Sequence, residues 1–250
     1  MKKGSVLLLL LAVAMLLCAC LPTFGVPQQG EAMPPRNPET TEEAQLQVTM
    51  PQAYAKILDA LAEAFPWNDE SEYVVEKYPE MSYLYRFYGG LSDVGYAVID
   101  LDGNGQPELL LSSMQDGGII DAYSIVDGKA VHLFDGGERY RYCVRAGGMI
   151  ENQWSGSAAM SGYDFSLISG GEFILQERIV YDAFQAEAVG LVQDAWEAGV
   201  EDCWFRSKTV QPEDYQHISY QEAQNALDAY HTQYPQVKIQ YKLLSDYAKP

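Results

Sequence analysis

Positive charge is scarce in this chain: 16 Lys and Arg stand against 35 Asp and Glu, a formal net charge of −19 over 250 residues. A field of that sign repels nucleic acid and anionic lipid, so neither is a natural partner for its surface. Histidine is rarer still, with only His132, His217 and His231. None stands beside a Ser or Cys in a nucleophile context, which leaves Ser/His and Cys/His hydrolysis without a signature. His132 alternates with Val131 and Leu133 and reads as a solvent-facing or hydrogen-bonded strand residue. The four cysteines, Cys18, Cys20, Cys143 and Cys203, show no zinc-ligand spacing. Gly117–Gly118 and Gly136–Gly137 open no helix and carry no following Lys, so they are not phosphate loops. Ser155–Gly156–Ser157 lacks the nucleophile-elbow pattern. Beyond the N-terminus no apolar run approaches the about 20 residues that a spanning helix needs.

What the chain does contain is enough apolar material to fold: 48% of residues are hydrophobic and 20% charged. Lys2 and Lys3 precede an apolar run from Val6 to Leu17, the charged start and short hydrophobic stretch of an export signal, and Pro22 ends it too early for a membrane span. Leu17–Cys18–Ala19–Cys20 then resembles the bacterial lipobox, with Leu three places before the modified cysteine and a small residue directly before it. That resemblance implies cleavage after Ala19, a leader over 1–19, and a thioether-linked lipid with further acyl chains, palmitate among them, on Cys20. Two or more chains hold a protein stably at a membrane surface. From Leu21 to about Val48, Pro22, Pro27, Pro34, Pro35 and Pro38 are spread among Gln, Glu, Thr and Gly, so 20–48 reads as a lipidated tether with little to bury. An exported chain permits a bridge between Cys143 and Cys203. Two unpaired thiols packing as small apolar residues fit the sequence equally well.

Residues 49–250 read as one globular domain. Thr49, Met50 and Pro51 open a helical pattern carried by Tyr54, Ile57, Leu58, Leu61 and Phe65. Glu72 to Tyr88 follows neither period cleanly. From Gly95 onward, Tyr96–Ile99, Glu108–Ser112, Ile119–Val126, Lys129–Phe134, Tyr140–Arg145, Met149–Gln153, Gly162–Ile168 and Glu172–Tyr181 are strand-like segments separated by Gly and Asp turns. Asp127–Gly128 is a strong two-residue hairpin signal. After Ala183 a helical pattern runs through Leu191 and Trp196, and Ser219 with Glu222 forms a capping box that opens a helix over Tyr220–Tyr234. Val237, Ile239, Tyr241 and Leu243 alternate as a closing strand. The predicted class is α+β, an antiparallel meander of about seven to nine strands with a helix at each end.

One loop carries chemistry. Asp100, Asp102 and Asn104 take the first, third and fifth places of a calcium loop, Gly105 takes the sixth, the Gln106 carbonyl the seventh and Glu108 the ninth. Alternate oxygen-bearing side chains with a sharp turn at the sixth place let a short backbone curl round a hard cation. Leu111 stands at the twelfth place, where an EF-hand has its bidentate Glu, and the flanks are strand-like. The segment therefore resembles the strand–loop–strand calcium sites of integrin-type FG-GAP repeats, in which an acid at the ninth place serves. A bare hairpin is the competing reading, since Asp102–Gly103 and Asn104–Gly105 are favoured turn pairs. Lipobox, tether, early helix, the phrase Tyr96–Leu111 and the following meander together resemble uncharacterised surface lipoproteins of gut Firmicutes, which implies a surface address and an EF-hand-like loop without an activity.

The function these features favour is a non-catalytic, calcium-stabilised lipoprotein on the extracytoplasmic face of a bacterial cell membrane, binding an extracellular glycan or protein. Tyr83, Tyr85, Tyr88, Tyr140, Tyr142 and Trp154 are candidate aromatic contacts for such a partner, although tyrosine on half-buried strands also serves packing. The alternatives are a secreted hydrolase of glycans or cell wall, in which two carboxylates would face a cleft, and a structural envelope protein.

Overall fold

The structure is a computed structural model that describes residues 50–64 and 91–247. The leader, Cys18 and Cys20, the tether, and the segment holding Tyr83, Tyr85 and Tyr88 lie outside the described residues. Contacts divide the chain into Met1–Pro34 and Pro35–Pro250, and every described residue belongs to the second unit.

An antiparallel sheet of eleven strands dominates, accompanied by three α-helices among the described residues. The strands are β1 (Val94–Ile99), β2 (Glu108–Ser113), β3 (Ile119–Val126), β4 (Lys129–Asp135), β5 (Tyr140–Val144), β6 (Met149–Ser157), β7 (Met160–Ser169), β8 (Glu172–Asp182), β9 (Trp204–Ser207), β10 (Gln216–Ile218) and β11 (Lys242–Leu243). The helices are α1 (Gln52–Ala64), α2 (Ala183–Ala188) and α3 (Tyr220–Gln233). Strand order is β10-β9-β8-β7-β6-β5-β3-β2-β1-β11, with β4 pairing the side of β3. The α+β meander expected from the sequence is what forms, with two short strands, β9 and β10, that the pattern did not announce. Each is too brief to display an alternation.

Most turns follow their dipeptides. Asp127 at φ 51° and Gly128 at φ 74° make the mirror-image reversal between β3 and β4, whose twist matches the flanking strands. Ser219 caps α3 and Glu222 reaches back to it, so the capping box is present.

The burial of β1–β3 explains their composition. α1 lies on one face, where Tyr54, Ile57, Leu58 and Leu61 pack with Val94, Leu109, Leu111 and Tyr123. The other face carries Ile99, Leu110, Ala122, Phe134, Tyr142 and Ile150. A strand covered on both sides needs no polar alternation, so Leu109, Leu110 and Leu111 run unbroken and all six residues of β2 are buried. β4 is covered on one side and is mostly exposed on the other. In the second half of the sheet, α3 covers Met149, Phe165, Ile179 and Trp204, while α2 and the segment after it cover Trp154, Val180 and Phe205. A buried ion pair joins Arg145 to Glu151, and the Arg145 guanidinium also donates to the Tyr234 carbonyl at 3.0 Å, tying β5–β6 to the end of α3.

Two expectations are revised and one open alternative is resolved. The closing strand shrinks to Lys242–Leu243, because only these residues reach the edge of β1, at Gly95 and Tyr96. Val237, Ile239 and Tyr241 satisfy their alternation by packing into the core instead. The helix after Ala183 stops at Ala188, and the chain through Trp196 is irregular. Of the two readings left open for Cys143 and Cys203, the unpaired one is found, with both thiols free. Cys143 lies on β5 and Cys203 directly precedes β9, with β6, β7 and β8 between them in the sheet. At about 4.8 Å per strand that separation far exceeds disulfide reach.

Candidate metal centre

Ile99, the last residue of β1, sits opposite Glu108, the first of β2. The proposed calcium loop is thus the connection of a hairpin in the most deeply buried part of the sheet. Strand alternation turns Glu108 to the same face as Leu110, into the interior, and its side chain is fully buried. Asp100 and Asp102 are half-buried, and Asn104 is exposed at the tip.

The loop curls because its acids bind its own backbone. Asp100 Oδ1 accepts from the Gly103 N–H at 2.6 Å and the Asn104 N–H at 3.1 Å, and Asp100 Oδ2 from the Gly105 N–H at 3.0 Å. Asp102 Oδ1 accepts from the Asn104 N–H at 3.0 Å. Gly105 at φ 86° provides the left-handed step at the sixth place that a side chain would resist. The result gathers Asp100, Asp102 and Glu108 so that one carboxylate oxygen from each lies within 4.8 Å of the other two.

That spacing fits a cation. Ligands on opposite sides of calcium, each at about 2.3–2.6 Å, are about 5 Å apart, and an all-oxygen donor set suits a hard divalent ion. Asn104, expected as the fifth-place ligand, is near but otherwise engaged: its Oδ1 accepts from the Gln106 N–H at 2.6 Å, and its Nδ2 donates to Asp102 Oδ2 at 2.8 Å. The Gln106 side chain turns away to donate to the Ile125 carbonyl, consistent with a role for its backbone rather than its amide group.

The electrostatics concentrate on Glu108. Burial, reinforced by the charges of Asp102 and Asp100, pushes its carboxyl up to about 7, against the opposing pull of hydrogen bonds from the Leu101 N–H at 2.9 Å and the Ser124 hydroxyl at 3.2 Å. Three carboxylates this close repel one another, and a divalent cation among them removes the repulsion.

Supporting residues come from elements far apart in the sequence. Tyr54 on α1 is fully buried and its hydroxyl donates to the Pro107 carbonyl at 2.8 Å, fixing the exit of the loop. Burial and the Glu108 charge hold the Tyr54 phenol well above its ordinary range, so it remains a donor. Ser124 comes from β3. Gly148 abuts the loop so closely that an added Cβ would collide with the Leu101 carbonyl oxygen. No local pattern announces these contacts. Only the apolar helical phase that turns Tyr54 inward was readable.

Other candidates disperse. His132 on β4 is partly exposed and its Nε2 lies 2.6 Å from Asp121 Oδ1, the satisfied histidine expected of it. The aromatic face does not assemble from Tyr140, Tyr142 and Trp154. Tyr142 and Trp154 are buried, Tyr142 stacks on Phe134 at 4.2 Å, and Arg178 covers Trp154 at 4.9 Å. Cavities open elsewhere on the described residues. One, of about 540 Å³, lies between α1 and the β3–β4 turn, and a smaller one is lined by Asp116, Glu138, Tyr140 and Arg141. Glu108 lines neither. Compared with models of protein families, with curated proteins and with solved structures, the chain finds no match in any of the three.

Proposed function

We propose that this chain is an exported bacterial lipoprotein, held by lipid on Cys20 at the extracytoplasmic face of the membrane, whose sheet is stabilised by calcium in the 100–108 loop and which acts as a non-catalytic binding module. The observation that carries the reading is the convergence of Asp100, Asp102 and Glu108 at the mouth of the β1–β2 hairpin, with Glu108 sealed inside the sheet. A bare turn needs Asp and Asn at its tip, as Asp100, Asp102 and Asn104 supply; the bracing that Glu108 gives the Leu101 N–H and the Ser124 hydroxyl needs only a neutral acceptor and does not require a third acid buried beneath them. Burial pushes the Glu108 carboxyl up, and the side chain faces the loop and lines neither of the two cavities described above, which favours holding an ion over attacking a substrate.

A single loop lacking the twelfth-place Glu belongs to the weak class of extracellular sites, with Kd about 10⁻⁴ to 10⁻³ M. At about ten times Kd, bound calcium adds about 1.4 kcal/mol to stability. For a folded unit of this size that raises Tm by about 3–6 °C. The test is thermal unfolding in EDTA and in millimolar calcium, for the wild type and for Asp100→Ala combined with Asp102→Ala. A calcium-dependent rise confined to the wild type is the expected result. Identical curves would reduce the loop to a hairpin turn.

A further inference from the structure

We infer that the face formed by α2 and the segment following it is a docking surface for a protein that presents a cationic segment built around an apolar anchor. This inference rests on the binding-module reading above but is independent of the calcium loop.

Trp196 is 70% exposed and Phe184 42%, and the two rings meet edge to face at 5.3 Å. Val189, Leu191 and Val200, in the same stretch of chain, are also exposed. The display is built, not incidental. Ala195, directly before Trp196, is buried, and Ala198 packs against the same core cluster, which pins the backbone on both sides of the exposed ring. The Ala195 N–H donates to Glu187 Oε2 at 3.1 Å, the Trp196 N–H to Asp194 Oδ1 at 2.7 Å, and the Leu191 N–H to the Ala186 carbonyl at 2.8 Å. A segment anchored this thoroughly could have turned its tryptophan inward, as Trp154 and Trp204 are turned. Exposed aromatic anchors on a rigid base are the recurring core of protein interfaces.

Charge selects the occupant. From Ala183 to Cys203 the chain carries Glu187, Asp194, Glu197, Glu201 and Asp202, all exposed, and no Lys, Arg or His. A stretch whose exposed side chains include apolar and acidic ones but never a basic one complements a basic, apolar-anchored segment and repels acidic proteins and anionic lipid. The near-perpendicular rings, 84° apart, do not join into one continuous flat platform.

The probe is an amphipathic helical peptide of about 15 Leu and Lys residues, titrated onto the full chain in phosphatidylcholine nanodiscs and followed by anisotropy of a label on the peptide. The same peptide with Glu in place of Lys, and a chitin oligosaccharide, serve as comparisons. Expected are micromolar binding that weakens with salt, a blue shift of Trp196 fluorescence that is absent in Trp196→Phe, and at least about a tenfold loss of affinity in Phe184→Ala combined with Trp196→Ala. Ile174→Ala, at an exposed apolar residue on β8, is expected to leave binding unchanged. Equal binding by the wild type and the double variant, equal binding of the Glu peptide, a Trp196 shift produced by the oligosaccharide, or no binding would each overturn the assignment. If calcium still raises Tm in that event, the ion-stabilised reading survives and only this face is lost.

Discussion

Replacing Glu108 with Gln separates a carboxylate that waits for a cation from one that merely braces a turn. In EDTA at pH 8 the wild-type carboxylate is ionised inside the sheet beside Asp100 and Asp102. Its proton affinity is raised from the ordinary 4.5 to about 7, so ionisation opposes folding. The stability that the protonated form contributes is complete below pH 4.5 and disappears as pH rises through about 7, a loss of about 3 kcal/mol. Gln removes the charge while keeping the shape. Its Oε1 can accept from the Leu101 N–H and its Nε2 can donate to the Ser124 hydroxyl, which leaves the weaker neutral hydrogen bonds as a cost of about 1 kcal/mol. In EDTA at pH 8 Glu108→Gln therefore gains about 2 kcal/mol, or about 4–8 °C in Tm for a folded unit of this size. At pH 5 that advantage vanishes. In millimolar calcium the order is expected to narrow or reverse, because an ion held in the loop would stabilise only the carboxylate form. Scanning calorimetry at both pH values, with and without calcium, checks all of this. A variant less stable than wild type in EDTA at pH 8, with an undiminished calcium response, would refute the assignment of Glu108 as a ligand.

Further consequences follow from the same contacts. Gly148→Ala forces its Cβ against the Leu101 carbonyl and must adopt φ near 73°, so a destabilisation of at least about 2 kcal/mol and a reduced calcium-dependent Tm shift are expected. His132 has its pKa raised first by its hydrogen bond to Asp121, so the contribution of the pair is complete below the ordinary histidine range and is lost as pH rises through the raised value. The side chain is partly exposed, which keeps the effect small; His132→Asn is expected to lower Tm more at pH 5.5 than at pH 8.5, and an equal loss at both would refute the pair's role. Cys143 and Cys203 are expected to react as two free thiols in denaturant without reductant, counted by mass after alkylation, and recovery of both unlabelled would restore the bridge. Burial pushes the Cys143 thiol up to about 11, so its labelling in the native protein at pH 8 should be slow.

Much of the scaffold was already written in local chemistry. Asp127–Gly128 called for a two-residue reversal, Ser219 with Glu222 for a helix start, and the alternation of Ile119–Val126 and Glu172–Tyr181 for strands, because these signals depend on the φ/ψ and periodicity of adjacent residues. The loop was legible for the same reason: Asp100, Asp102, Asn104 and Gly105 act through neighbouring backbone. What the sequence alone determined, then, is the α+β meander, the position of the hairpin turns and the identity of the acids at its one chemically distinctive loop. Tertiary structure decided the rest. It buried Glu108 by covering β2 on both faces, brought Tyr54, Ser124 and Gly148 to the loop, kept Cys143 and Cys203 apart with three strands between them, and left Trp196 outside while drawing Ala195 in. Each of these depends on which faces of distant elements meet, and burial is a property of that meeting, not of any residue's neighbours along the chain.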